Sequence, residues 1–195
     1  MAHNIFISYR RDDSGPTAGR LYDRLAEKFG EANIFIDVDN MPAGVDFVKH
    51  LNKQVENCDL FLCAVGPNWL SAKDEDGHRR LDQPDDYVRV EIAAALNRDI
   101  PVIPVLIDGA RVPKARELPN DIAALTRRHA VEVRNSHFRR DADGLTEQIR
   151  EVLKLKRTAS GCKFIAPAVA VIALVVLGLI GAYEKRNGFA ALATF

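Results

Sequence analysis

The chain has 195 residues, 27 lysines and arginines against 27 aspartates and glutamates, and is 47% hydrophobic. Zero net charge argues against a nucleic-acid binder held by bulk positive charge. Three cysteines make no disulfide framework, and 12 glycines with 9 prolines exclude a collagen or a low-complexity chain.

Residues 4–9 (NIFISY) predict a first strand, ended by Arg10, Arg11, Asp12 and Asp13. Leu21, Leu25, Ala26 and Phe29 recur at helical spacing and predict a helix over 15–29. Residues 33–38 (NIFIDV) read as a second strand and 41–44 (MPAG) as a turn. A helix follows, striped by Val45, Val48, Leu51 and Val55. Residues 59–66 (DLFLCAVG) are almost wholly apolar, as expected of a strand buried on both faces. The polar stretch 67–86 is a loop, and 87–98 (YVRVEIAAALNR) a helix. Residues 100–107 (IPVIPVLI) make a fourth strand that carries two prolines. A helix is expected over 121–128, a short fifth strand over 130–133 and a last helix over 143–157. Strands and helices in this alternation predict a parallel sheet covered on both faces, with ligands beyond the carboxyl ends of its strands.

Residues 164–183 (FIAPAVAVIALVVLGLIGAY) contain no charge. Twenty helical residues span about 30 Å, the thickness of a bilayer core. The last 32 residues hold only Lys185, Arg186 and Glu184 as charges, which leaves 25 basic and 26 acidic residues in the first 163. The expected organisation is a domain over 1–157, a basic linker over 158–163, a transmembrane helix over 164–183 and a short tail over 184–195. No apolar leader precedes the domain, so the span is expected to be the anchor. Lys154, Lys156, Arg157 and Lys163 precede it, and the positive-inside rule then puts the N-terminal domain in the cytoplasm of a single-pass protein. Cys162 stands where palmitoylation occurs, although an idle thiol is the default reading.

Much chemistry is missing from the sequence. It has no phosphate-binding G-x-x-x-x-G-K-[ST] loop, no G-x-G-x-x-G and no G-x-S-x-G elbow. Its five histidines form no H-x-x-x-H pair, there is no C-x-x-C, and the acidic run at 74–77 lacks calcium ligands at two loop positions, so no metal site is expected. One carboxylate stands out. Glu91 has Tyr87, Val88, Ala94 and Ala95 as helical neighbours, and no cation among them explains it. The same helix carries Val88, Ile92 and Ala95, which places Glu91 at the border of an apolar face near the helix N-terminus. A glutamate that merely complements the helix dipole remains the plain alternative.

FISYRRDD at 6–13, FIDVDNMPAGVDF at 35–47, DLFLCAVGPNWL at 59–70 and VRVEIAAAL at 88–96 resemble, in order, a bacterial Toll/interleukin-1 receptor (TIR) domain. The resemblance covers residues 1–155. It implies an α/β, flavodoxin-like five-stranded parallel sheet with helices on both faces. Residues 39–47 resemble the family's second loop, which closes over ligand or joins neighbouring domains. Many bacterial TIR domains cleave NAD between nicotinamide and ribose with a glutamate that falls here on Glu91. The family's pocket draws on strand ends that match Phe6, Ser8, Arg10, Arg11, Asp37 and Trp69. Arg10 or Arg11 would pair with the pyrophosphate; Trp69 would stack on a ring or simply fill space, and Ser8 would line the pocket or only bond at a strand end. Many members place a tryptophan a few residues before the glutamate, whereas Trp69 precedes Glu91 by 22 residues, across the insert 71–86, which either covers the pocket or is disordered.

The resemblance implies an NAD+ hydrolase or cyclase, with NAD as substrate rather than cofactor and self-assembly with other TIR domains; joined to the segment 164–183, it makes the expected protein a membrane-anchored effector of bacterial antiviral defence at a lipid bilayer. The rival is a non-catalytic TIR scaffold. A phosphoacceptor role for Asp37 lacks the paired acids at the first strand and the lysine that it needs.

Overall fold

A computed structural model describes residues 3–36 and 57–161. The chain divides into two compact units, Met1–Leu153 and Lys154–Phe195. The first contains β1 (Ile5–Ser8), α1 (Arg11–Phe29), β2 (Ile34–Ile36), β3 (Leu60–Val65), α2 (Tyr87–Asn97), β4 (Val102–Ile107), β5 (Val131–Val133) and the greater part of α3 (Phe138–Gly161). The strands form one sheet in the order β2-β1-β3-β4-β5, and every pairing is parallel. The expected five-stranded α/β architecture is therefore present.

Both faces of the sheet are covered, which is why its strands read as unbroken apolar runs. On one face Ile5, Ile7, Leu62 and Val105 pack under Leu21 and Leu25 of α1 and Leu145 and Ile149 of α3. On the other, Phe6, Phe61, Cys63 and Val65 meet Val88, Ile92 and Ala95 of α2 and Ile122 and Leu125 of the segment before β5.

Three boundaries differ from the sequence expectation. Helix α1 begins at Arg11 rather than 15, because the Arg10 carbonyl accepts from the Asp13 and Ser14 N–H groups. Asp12 and Asp13 then meet the positive end of the helix dipole, and Gly15 and Pro16 lie inside the helix. Helix α3 begins at Phe138 rather than 143, with Asp141 accepting from the Arg134 backbone and guanidinium. The helix expected over 121–128 is a five-residue 3-10 turn, Ala123–Arg127.

Pro104 sits inside β4 without breaking it. The Pro101 carbonyl accepts from Phe61 on β3, so by alternation the Pro104 nitrogen faces β5. Pairing with β5 starts only at Val105 and Val131, so no ladder bond is lost.

Asp37, the turn at 41–44, the helix striped by Val45 to Val55, the 39–47 loop and the 164–183 segment lie outside the described residues. Among the described residues no helix is long and apolar enough to cross a membrane.

Candidate active site at the carboxyl ends of β1 and β3

In the order β2-β1-β3-β4-β5 the chain reverses direction across the sheet between β1 and β3. A crevice forms outside the carboxyl ends of the strands at such a switch point. Ser8 ends β1, paired in register with Cys63 of β3, and both lie on the α2 face of the sheet. Gly66 follows β3, and the chain turns so that the Trp69 N–H donates to the Gly66 carbonyl at 3.2 Å.

Glu91 projects from α2 into this face. The residue is 1% exposed although it belongs to a charged type. Its negative charge reaches Cys63, where it adds to burial in pushing the thiol well above its ordinary range, while the Arg10 guanidinium works in the opposite direction. The three groups are thus electrostatically close at the end of β3.

Arg10 extends from the end of β1 and is buried. Its Nη1 donates to Asp86 Oδ2 at 2.9 Å and its Nη2 to Asp86 Oδ1 at 2.8 Å. The two side chains are each 2% exposed. The guanidinium also lies over the Trp69 ring, 5.9 Å from its centroid. Asp86 is the N-cap of α2, and its Oδ1 accepts the Arg89 N–H at 3.1 Å. Arg80 Nε stands 3.5 Å from the same carboxylate.

The first turn of α1 closes the group. Asp13 Oδ1 accepts the Asn68 N–H at 2.8 Å. Among the described residues, Ser8 Oγ, Arg10 Nε, Asp13 Oδ2 and Trp69 Nε1 are buried atoms with no hydrogen-bond partner. Buried polar atoms are nearly always bonded, so this gathering is unusual for a packed core.

The site residues expected from sequence therefore divide. Ser8, Arg10, Trp69 and Glu91 come together. Phe6 is fully buried and stacked on Phe61 with ring centroids 5.5 Å apart, which makes it core beneath the site rather than a ligand contact. The Arg10 fork is engaged by Asp86 rather than open to a pyrophosphate, because a buried carboxylate lies within direct reach. Arg11 is exposed at the first position of α1. Trp69 is fully buried, so it fills space between the turn and Arg10.

Sequence reasoning missed Asp86, Asp13, Gly66 and Tyr87. The signal for Asp86 was its place just before an apolar-periodic helix, which is where N-caps stand. Tyr87 is an aromatic residue one helical turn before Glu91 and is 48% exposed. The insert 71–86 is ordered. Lys73 bridges Arg79 across a turn at Gly77, where φ is 82°, Asp74 accepts the Asp76 and His78 N–H groups, and Leu81 is fully buried. Among the described residues no cluster of three His, Cys, Asp or Glu could hold a metal ion.

Two openings border the site. One, about 210 Å³, is lined by Val65, Gly66, Pro67, Leu70, Ser71 and Arg111. The other, about 240 Å³, is lined by Asp74, Arg80, Gln83, Asp85, Asp86 and Tyr87.

A family model described as a TIR domain matches residues 5–150. The chain is 29% identical over 124 residues to the NAD(+) hydrolase sarm1 of Drosophila melanogaster. That stretch is 63% of this chain but 8% of the relative. Among solved structures, the TIR domains of the activated Roq1 resistosome, which directly recognises the pathogen effector XopQ, superpose with a TM-score of 0.58 at 14% identity, covering 75% of this chain and 99% of that one. A metazoan TIR-STING receptor from C. gigas, in complex with 2',3'-cGAMP, superposes with a TM-score of 0.50 at 17% identity, covering 72% and 38%. At these identities the structural likeness speaks for the fold.

Proposed function

The chain belongs to the TIR-domain family, and on that premise we propose that it is an NAD+ nucleosidase cleaving the bond between nicotinamide and ribose, with Glu91 as its catalytic carboxylate. The observation that carries the reading is the placement of Glu91: a buried carboxylate at the switch-point ends of β1 and β3. The Drosophila relative adds support, since its name is that of an NAD(+) hydrolase.

The chemistry suits a single carboxylate. As the C1'–N bond breaks, its electron pair leaves with nicotinamide, which departs neutral and needs no proton. Positive charge grows on the ribosyl C1' and ring oxygen in an oxocarbenium-like transition state. A carboxylate held in a water-poor setting stabilises that charge far more than it would in bulk water. Attack by water gives ADP-ribose and a proton; attack by a nitrogen of the same molecule's adenine gives a cyclic product.

Ligand pockets usually begin near roughly 300 Å³. Both openings are smaller, at about 210 and 240 Å³. We assign the remaining walls to a neighbouring TIR domain, so that turnover depends on self-assembly. Residues 164–183 would hold the assembly at a bilayer as a single-pass anchor with the TIR domain cytoplasmic, in a role in bacterial immune defence.

The test is nicotinamide release from NAD+ by the clustered full chain. Glu91→Gln is expected to lower turnover at least 100-fold, the order lost when one charge-stabilising group is removed, with the far-UV circular dichroism unchanged. A folded Glu91→Gln chain at full turnover refutes the assignment. The second reading, a non-catalytic TIR–TIR scaffold, is favoured by the Arg10 fork, which is held by Asp86 rather than open to a pyrophosphate. It requires that the unaltered chain release no nicotinamide even when clustered.

A further inference from the structure

The Arg10–Asp86 pair is placed oddly for a purely structural ion pair. Desolvating two charges is expensive, and apolar residues of similar volume often serve stability as well or better. Yet both side chains are nearly sealed from solvent, and their fork is bidentate at 2.9 and 2.8 Å. What the pair joins is informative. Arg10 is the residue after the β1 strand end and holds α1's first turn through its carbonyl. Its guanidinium lies over Trp69, in the turn after β3. Asp86 caps α2 through the Arg89 N–H, and its own carbonyl accepts the Val90 N–H at 2.9 Å. The pair therefore ties three chain segments at the switch point to the first turn of the helix that bears Glu91.

From Asp86 to Glu91 is five residues, about 7.5 Å along a helix axis. A small tilt or slip of the first turn moves the carboxylate by a comparable amount. We propose that Arg10 and Asp86 are positioning residues that hold the Glu91 carboxylate at the reacting centre by clamping the N-terminus of α2 to the end of β1. Arg80 reaches the same carboxylate from the ordered insert, so the insert is part of the clamp. A fork suits this task better than a point charge, because two parallel N–H donors fix the angle of the carboxylate as well as its distance. The inference rests on the NAD-cleaving reading of Glu91.

Two variants of the full chain test it. Asp86→Asn keeps an acceptor for the helix cap but loses the charged fork; Arg10→Lys keeps the charge but loses the fork. A misplacement of about 1 Å costs on the order of 100-fold in rate. Both variants are therefore expected to lose about 100-fold in kcat for nicotinamide release, with KM within about threefold of the unaltered chain. In parallel, hydrogen exchange across residues 87–92 is expected to quicken at least tenfold in both variants, while exchange in β3 is unchanged. Where Asp86→Asn does not fold, Arg10→Lys carries the test. A folded variant with wild-type kcat, a loss confined to KM, or unaltered exchange over 87–92 overturns the proposal. So does faster exchange spread equally into β3, which is the mark of a merely structural pair. If the unaltered chain releases no nicotinamide, the NAD reading fails, and the exchange arm alone decides whether the clamp exists.

Discussion

Gly66 is a point where backbone and side chain approach too closely for any other residue. A methyl group added there would lie 2.6 Å from Asp13 Cγ and 2.7 Å from its Oδ1, and nearer still to Oδ2. The carboxylate cannot simply swing aside, because Oδ1 holds the Asn68 N–H at 2.8 Å. Gly66→Ala must therefore strain the turn and pull that bond apart. Overpacking costs about 1–3 kcal/mol. Loss of a hydrogen bond to a charged group costs about 1.5–3 kcal/mol. Against these stands about 0.4–1 kcal/mol gained by restricting the unfolded chain. The net expectation is a loss of about 3 kcal/mol, a large share of the roughly 5–15 kcal/mol that keeps a domain folded.

The cause can be isolated. Asp13→Ala alone removes the bond to Asn68 and an acidic group from the first turn of α1, for about 2–3 kcal/mol. In the double variant the new methyl meets an alanine instead of a carboxylate, so the total is expected to stay near about 2 kcal/mol rather than the sum of about 5–6 kcal/mol. Urea unfolding measures all three, followed by far-UV circular dichroism and by the fluorescence of Trp69, the single tryptophan of the chain. Coincident transitions license the two-state treatment. A cost under about 0.5 kcal/mol for Gly66→Ala, or two losses that simply add, refutes the clash with Asp13.

Gly19 offers the contrast: it lies inside α1 with nothing within 4 Å of an added Cβ, so Gly19→Ala is expected to raise stability by about 0.5–1 kcal/mol in the same assay. Hydrogen bonds from Arg111, and then from the Lys114 backbone, hold Glu117 at about 2, below the ordinary 4.5. A depressed carboxyl contributes stability that is full above the ordinary value and lost as pH falls towards about 2. Arg111→Ala should return its midpoint most of the way to 4.5 in a carboxyl NMR titration, and an unmoved midpoint removes Arg111 as the main cause. Burial pushes the Cys63 thiol up. At pH 8 it should therefore resist iodoacetamide in the native chain and label only in urea; labelling before unfolding contradicts the packing of α2 on β3.

The fold was legible because burial on both faces writes itself into strand composition. Leu60–Val65 is apolar at every position, and no competing signal interrupts it. Local boundaries were harder. Gly15 and Pro16 look like a break, yet α1 runs through them because its start is held from Arg10 behind them and by acids at its dipole. The 121–128 segment has helical composition but tightens into a 3-10 turn, with Ile122 and Leu125 buried in the core. For the site, Glu91 was visible as a carboxylate that its own helix does not explain. Asp86 was not, because its partner Arg10 is 76 residues away, and no local pattern encodes a pairing at that distance.

The same distance explains why the two arginines of the first motif take different roles. Arg10 and Arg11 are adjacent and chemically identical, so the residues alone assign either to a phosphate. Their separation comes from the strand-to-helix junction. Arg10 precedes the first helical position and its side chain turns in, under the turn that carries Trp69. Arg11 opens the helix and is exposed. A buried guanidinium needs a buried anion, and Asp86 is that anion because it must also stand at the head of α2 to cap it. Capping, charge neutralisation and the placement of Glu91 are thus met by one carboxylate. Among the described residues, Ser8 Oγ, Arg10 Nε and Trp69 Nε1 are buried with no hydrogen-bond partner. In a core selected for stability alone each would be a loss of about 1–3 kcal/mol.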